Sequence, residues 1–315
     1  MGAVYRTAPR KGADDLKDLS QPALREDQGD INLFRAGVLG LDQYVPKSKL
    51  RRVDHYSRMA LLAAGRALED WGDSFVSRDK TGVIVATGYG ALGSTFSFLD
   101  SYIEKGDKLA FPTHFSNSVH NAAAAHISIC YEITGPSLTV SQFDLSFISA
   151  LITAGTWLET GKTDAVLIGA VDEWCEIMGY CMHRFSGISH TPAGSFGEGA
   201  AFFMVTRETG PRPQYGFFED ISMGRNLDAS SLCMGDILFS PPSAALIPGE
   251  LQDTLEGCAG VWKRKKAGSP TDMGMDALFA FGRNAEKGGK ICCLKQGEAG
   301  MFGKMTIAVS GATSE

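Results

Sequence analysis

No histidine follows His190 in this sequence of 315 residues, none of its seven cysteines is spaced as a CxxC pair, and no apolar run reaches the length of a membrane helix. Each absence removes a class of function. A bilayer-spanning helix needs about 20 consecutive apolar residues, so no membrane association is expected. The opening segment, MGAVYRTAPRKGADDLKDL, is polar and charged and lacks the apolar core of a secretory signal, which points to the cytoplasm. Position 6 is Arg6 rather than serine or threonine, which argues against myristoylation of Gly2. Cys130, Cys175, Cys181, Cys233, Cys258, Cys292 and Cys293 are scattered and read as free thiols, not as a zinc site or a disulfide framework. A concentrated basic face is also missing: the net charge is -6, which disfavours nucleic acid as a partner. The single basic knot, Lys263, Arg264, Lys265 and Lys266, is short; it reads as a solvated loop or as a docking patch for something acidic.

What is present is an alternation of apolar runs and helical patterns, rich in glycine. Residues 1–30 carry no periodicity and read as a flexible arm. After Asp54, a candidate cap, Tyr56, Met59, Ala60, Ala63 and Leu68 recur at helical spacing. TGVIVATGYG reads as a strand entering a glycine turn, and STFSFLDSYIEKG as a helix ended by Gly106. PTHFSNSVHNAAAAHISICYEITGPS reads as a loop that becomes an alanine-rich helix capped by Asn117. SLTVSQF is a predicted strand, DLSFISALITAGTWLETG a long helix, and TDAVLIGAVDEW and FGEGAAFFMVTRE further strands. Beyond residue 210, RPQYGFFEDISM and DALFAFG read as strands and GMFGKMTIAVSG as a short helix, around a proline- and glycine-rich stretch at 235–275. Continuous apolar strands alternating with helices predict an α/β protein whose sheet is covered on both faces.

Three segments carry candidate chemistry. Gly88 to Gly93 fits GxGxxG between a strand and a helix, where a dinucleotide pyrophosphate would bind. A parallel strand with an acidic residue should then follow soon, yet about thirty residues of loop and helix intervene. A tight strand–helix turn is the preferred reading, and no cofactor is expected. His114, His120 and His126 recur every six residues, whereas helical metal ligands need a spacing of three or four, so no metal site is expected either. In VSQFDLSF a strand ends and a long helix begins at or just after Asp144. A nucleophile at such an elbow would sit on the positive end of the helix. The residue there is an aspartate, and its preferred reading is an N-cap worth about 0.5–2 kcal/mol.

These elements, in this order, resemble the β-ketoacyl synthases of fatty-acid and polyketide assembly. RRVDHYSRMALLAAGRALEDWG resembles their first amphipathic helix, and VIVATGYG the strand after it. NSVHNAAAAHISICYEITGPS resembles the stretch that crosses the dimer interface and leads to the Gly-Pro-Ser before the nucleophile strand. DAVLIGAVDE and FGEGAAFFMV resemble the two strands that follow, so the likeness covers about 45–210. It implies a thiolase-like layered αβαβα fold with an abbreviated C-terminal half: an arm at 1–30, a ketosynthase-like N-terminal half at 31–210 and a shortened C-terminal half at 211–315.

Departures from the family pattern then set the functional expectation. Counting from Gly135-Pro136-Ser137, the family's nucleophilic cysteine falls on Asp144, and a carboxylate cannot hold an acyl chain as a thioester. The family's two catalytic histidines fall on Phe281, in AFG, and Glu298, in GEAGMFG. The resemblance therefore implies no catalytic residue here, and a non-condensing subunit like the chain-length factors. Such a subunit pairs in a heterodimer with a catalytic ketosynthase, serves an acyl carrier protein, and shapes the acyl tunnel in polyene, polyketide or fatty-acid-like biosynthesis. NSVHN…GPS…DLSF resembles the aryl-polyene branch more than the aromatic-polyketide branch, where glutamine commonly fills the elbow. Residues 109–131 would face the partner, with Phe111, Phe115, Val119 and Ala123 shaping the tunnel, so that bulk at Ala123 shortens the product. Lys263, Arg264, Lys265 and Lys266 would dock the carrier protein. The alternative is a stand-alone thiolase-fold hydrolase or decarboxylase of acyl thioesters, with Asp144 as base helped by His114, His120 or Cys175. A helix N-terminus stabilises the aspartate anion and makes it a weak base near neutral pH.

Overall fold

In a computed structural model, the chain is described at residues 4–6, 21–22, 33–72, 76–189, 196–207, 216–225, 236–240, 261–263, 274, 277, 288–297 and 300–309. Strand β1 is Val4–Arg6, β4 Thr81–Ala86, β5 Ser137–Val140, β6 Ala165–Asp172 and β8 Gly199–Thr206. They form one five-stranded sheet in the order β1-β8-β6-β4-β5. Of its pairings, β4–β5 and β4–β6 are parallel, whereas β6–β8 and β1–β8 are antiparallel. β1 lies within the segment expected to be an arm. The short β2 (Gln21–Pro22), β3 (Leu33–Arg35) and β7 (Phe196–Gly197) make a separate three-stranded ribbon.

A second sheet, β11-β10-β12-β13-β9, repeats that plan. Its strands are β9 (Gly216–Gly224), β10 (Asp236–Ser240), β11 (Val261–Lys263), β12 (Gly289–Gln296) and β13 (Phe302–Val309). Reading from β11, the pairings run parallel, parallel, antiparallel, antiparallel, as they do from β5 in the first sheet. Two units of one topology, one per half of the chain, are what a thiolase-like fold requires.

Strand alternation sorts the first sheet's side chains into two layers. Val83, Val85, Leu167, Phe202 and Met204 face helices α2 (His55–Trp71), which follows the single-turn α1 (Lys47–Leu50), and α5 (Ala122–Cys130), meeting Tyr56, Leu61, Ala123 and Ile127. Ile84, Ala86, Ile168 and Phe203 face the opposite way, onto Phe147, Leu151 and Ala154 of α6 (Ser146–Glu159). The far side of α6 meets Phe218, Ile291, Cys293, Met305 and Ile307 of the second sheet. The layers are thus helix, sheet, helix, sheet, with α6 buried between the sheets.

Local chemistry accounts for the element ends. Asp54 caps α2, accepting from Ser57 N–H at 3.1 Å, as expected for an Ncap aspartate. Gly106, at φ 76°, ends α3 (Leu92–Lys105). Four expectations are corrected. Residues 112–118 are not loop but helix α4 (Pro112–Ser118), with Pro112 in the first turn, where its missing N–H costs nothing. Asn117 lies inside that helix and does not cap the next; its amide donates to Arg52 O at 2.7 Å. GMFGKMTIAVSG forms strand β13 rather than a helix, because Met305, Ile307 and Val309 alternate into the α6 layer while Lys304 and Thr306 are buried on the other face. In DALFAFG the one described residue, Ala277, is helical and packs in the same layer. Helix α7 (Glu176–Ser189) and β12 were not anticipated.

Candidate functional site

Between β5 and α6 the chain turns through Gln142 and a single 3₁₀ turn at Phe143–Leu145. Phe143 sits in the left-handed region at φ 43°, an unusual conformation for a residue with a Cβ. The turn is wired to its neighbours through Ser146. Its hydroxyl accepts from Gln142 N–H at 2.8 Å and lies 2.7 Å from Phe143 O and 3.0 Å from Thr87 O. Ser141 donates to Gly88 O at 3.3 Å, and the Tyr89 and Phe143 rings meet edge-on at 6.1 Å. The elbow is thereby fixed against the loop that follows β4.

Asp144 does not cap α6. The Ncap position is Leu145, and no side chain caps the helix. The carboxylate instead meets Lys295 of β12, with Nζ 3.2 Å from Oδ1 and the lysine side chain 2% exposed. The same hairpin closes over the next residue: a Cβ on Gly297 or Gly303 would come within 2.8 or 2.9 Å of Leu145. The elbow therefore brings together one acid, one buried ammonium and the glycines of the β12–β13 hairpin. Glu298 and Phe281, the positions expected to replace histidines, lie outside the described residues.

The GxGxxG segment is an anion cradle filled from within. Asp172, at the end of β6, accepts from Thr87 Oγ1 at 2.8 Å, Gly88 N–H at 3.0 Å and Tyr89 N–H at 3.2 Å. Glu173 accepts from Gly93 N–H, in the first turn of α3, at 2.7 Å. The donors that would hold a phosphate are taken by the chain's own carboxylates, and Gly90, at φ 69°, makes the turn between them. A third acid, Glu198, accepts from Ala36 N–H and Trp174 N–H, both at 3.0 Å, and pairs with His55 Nε2 at 2.8 Å. Burial works to raise Glu198, but these hydrogen bonds outweigh it and hold the carboxyl below its ordinary value.

Glu173 goes the other way. Burial, reinforced by the nearby Asp54 and Glu198 charges, outweighs the Gly93 hydrogen bond and pushes its carboxyl up to about 7 from the ordinary 4.5. The folded chain therefore binds this proton more tightly than the unfolded chain. The stabilisation is complete below pH 4.5 and is lost as pH rises through about 7. Glu173→Gln keeps the acceptor for Gly93 without the charge. The variant should gain stability over the parent between pH 5 and 8, of order 2–3 kcal/mol at the upper end. Thermal midpoints of both proteins across that range check this; parallel profiles would exclude the effect.

The remaining sequence candidates separate. Phe111, Phe115 and Val119, on and around α4, are exposed, with Phe115 against Phe98 at 5.2 Å and Phe111 against His114 at 5.7 Å. Ala123 is not with them: it is 0% exposed in the layer under α2, where added bulk would collide with this chain's own core. His126 is partly buried, with Nε2 3.4 Å from Asn117 Oδ1, and burial lowers its basicity. His120 packs beside Gly90. Burial pushes the Cys175 thiol up, against use as a thiolate. Lys263 closes β11, while Arg264, Lys265 and Lys266 lie outside the described residues. Among the described residues no group of three or more His, Cys, Asp or Glu is placed to hold a metal ion, and no helix is long and apolar enough to cross a membrane. Lys295, Asp172, Glu173 and the His55–Glu198 pair were missed from sequence; the VDE ending an apolar strand was the available signal for two of them.

The family model for the β-ketoacyl synthase N-terminal domain matches residues 3–208. The 3-oxoacyl-(acyl-carrier-protein) synthase 2 of Vibrio cholerae is 26% identical over 183 residues, which is 57% of this chain and 41% of that protein. The match thus spans well under half the length of that relative. Among solved structures, the ishigamide ketosynthase/chain length factor aligns with a TM-score of 0.77 at 17% identity, covering 99% of both chains. A type II polyketide synthase acyl-carrier protein in complex with its ketosynthase (AntDE:AntF) gives 0.74 at 14% identity, covering 88% of this chain and 90% of that one. At these identities the likeness is one of fold.

Proposed function

Since this chain belongs to the β-ketoacyl synthase family, we propose that it acts as a non-condensing, chain-length-factor-like subunit that pairs with a catalytic ketosynthase. The observation that carries this reading is the elbow. The residue presented there is Asp144, and its carboxylate faces the Lys295 ammonium. A carboxylate in that place forms no thioester with an acyl chain, and an adjacent cation stabilises the anion, which also disfavours a role as general base in hydrolysis.

The surface beside the elbow supports pairing. Strand β5 closes the first sheet with β4 on one side, and among the described strands nothing covers its other edge. Next to it, Leu138 and Ile129 are 39% and 67% exposed. A groove of about 580 Å³ runs between α5 and β5, lined by His120, Ser128, Ile129, Leu138 and Thr139 among others. Among the described residues Ser128 Oγ and Thr139 Oγ1, buried there, have no hydrogen-bond partner. An open sheet edge flanked by apolar side chains is a template for a partner's strand. The fold neighbours include a ketosynthase/chain length factor and a ketosynthase with its acyl-carrier protein, which agrees with a ketosynthase and a carrier protein as partners here. In this reading Phe111, Phe115 and Val119 contribute to the interface and tunnel, in polyene, polyketide or fatty-acid-like assembly. The patch beginning at Lys263 docks the carrier protein.

The test is affinity purification of the tagged chain from its native cells, with mass spectrometry of what accompanies it. A stoichiometric ketosynthase carrying an intact Cys-His-His set is the expected result. A well-folded homodimer with no such companion would overturn the reading.

A further inference from the structure

We propose that Asp144 is an internal counter-ion for Lys295: the elbow carboxylate permanently occupies a buried ammonium, fastens the second sheet to the first at this point, and withholds that ammonium from anionic ligands. This is independent of which partner the chain has.

Lys295 is among the most deeply buried large side chains of the protein, at 1% exposure, near the end of β12. An isolated ammonium in such a place is strongly disfavoured unless an anion compensates it. Asp144 Oδ1 lies 3.2 Å away, and the carboxylate is itself 13% exposed. The pair thus has a buried cationic end and an anionic end at the rim. It joins residues from the two halves of the chain, each belonging to a different sheet or its connection. Geometry on both sides holds the carboxylate there. Phe143, at φ 43°, fixes the direction in which the next side chain leaves the backbone, and Leu145 is clamped between Gly297 and Gly303. A left-handed non-glycine residue persists where its surroundings over-determine it. Because Asp144 is not the cap of α6, the ion pair gives the acid a role that the sequence pattern did not indicate.

The experiment compares thermal midpoints of Asp144→Ala, Lys295→Met and the double variant, with and without added formate. Asp144→Ala leaves a bare buried cation and should lower the midpoint by roughly 5–10 °C. Lys295→Met in that background should recover most of the loss, because the uncompensated charge is gone. Formate should restore Asp144→Ala saturably, beyond chloride at equal ionic strength, and should leave the double variant unmoved. Additive losses in the double variant, or equal effects of formate and chloride on Asp144→Ala, would overturn the proposal. If Asp144→Ala yields no folded protein, the double variant decides: recovery of a folded chain supports the counter-ion role, and failure to recover it refutes that role.

Discussion

In the proposed pairing, Leu138→Asp should weaken association with the partner ketosynthase by at least about 100-fold while leaving the isolated chain folded. Leu138 sits on β5, the edge strand of the first sheet, with 39% of its surface exposed and Ile129 of α5 beside it. In the chain alone, an aspartate there faces water and costs little. In a complex that adds a strand to this edge, the same carboxylate is buried without a counter-charge. Such a penalty readily exceeds the ~2.8 kcal/mol that corresponds to a factor of 100. Sedimentation or co-expression pull-down, with circular dichroism to verify the fold, checks both halves of the expectation. Pairing at parental stoichiometry would show that the interface lies elsewhere, although the elbow reading would stand.

How far the sequence could be read depended on which signals are local. In β4, TGVIVA declared itself through an uninterrupted apolar run, and α2 through Asp54 followed by apolar residues at helical spacing; both are properties of neighbouring residues. Helix α5 was legible as a helix, but the run of alanines gives its faces no contrast, so nothing local indicates that Ala123 turns inward. β13 was misread although Met305, Ile307 and Val309 alternate with Lys304 and Thr306 at strand spacing; that the fold buries both faces of the strand and pairs Lys304 with Asp220 at 2.6 Å is not a local signal. The elbow shows the same limit at the site. That position 144 follows a strand and precedes a helix is local, and so was found. That its carboxylate answers a lysine on β12 depends on the second sheet packing against the first. Likewise the glycine turn at 88–93 was visible, but the anions in it come from β6, the neighbouring strand in the sheet.

Three aromatic side chains meet in that packing, and Phe147→Ala should cost about 3–5 kcal/mol. Phe147 is fully buried at the start of α6. Its ring lies 6.1 Å from Phe203 of the first sheet and 6.4 Å from Phe218 of the second, and those two rings are themselves edge-on at 5.8 Å. Gly274 also lies against it, where a Cβ would sit 3.6 Å from the Phe147 ring. Truncation therefore empties a space bounded by both sheets and the helix between them, and no single element can close it by a small shift. A Leu61→Ala change in the α2 layer empties a comparable volume but leaves the contact between the sheets intact. Urea unfolding distinguishes the two. Leu61→Ala should shift a single transition, whereas Phe147→Ala should also lower its cooperativity, because the halves of the chain lose a shared part of their core. Phe147→Leu should recover most of the loss, since it refills the space without restoring the ring contacts. A cost below about 1 kcal/mol for Phe147→Ala would mean that α6 is not wedged between the two sheets.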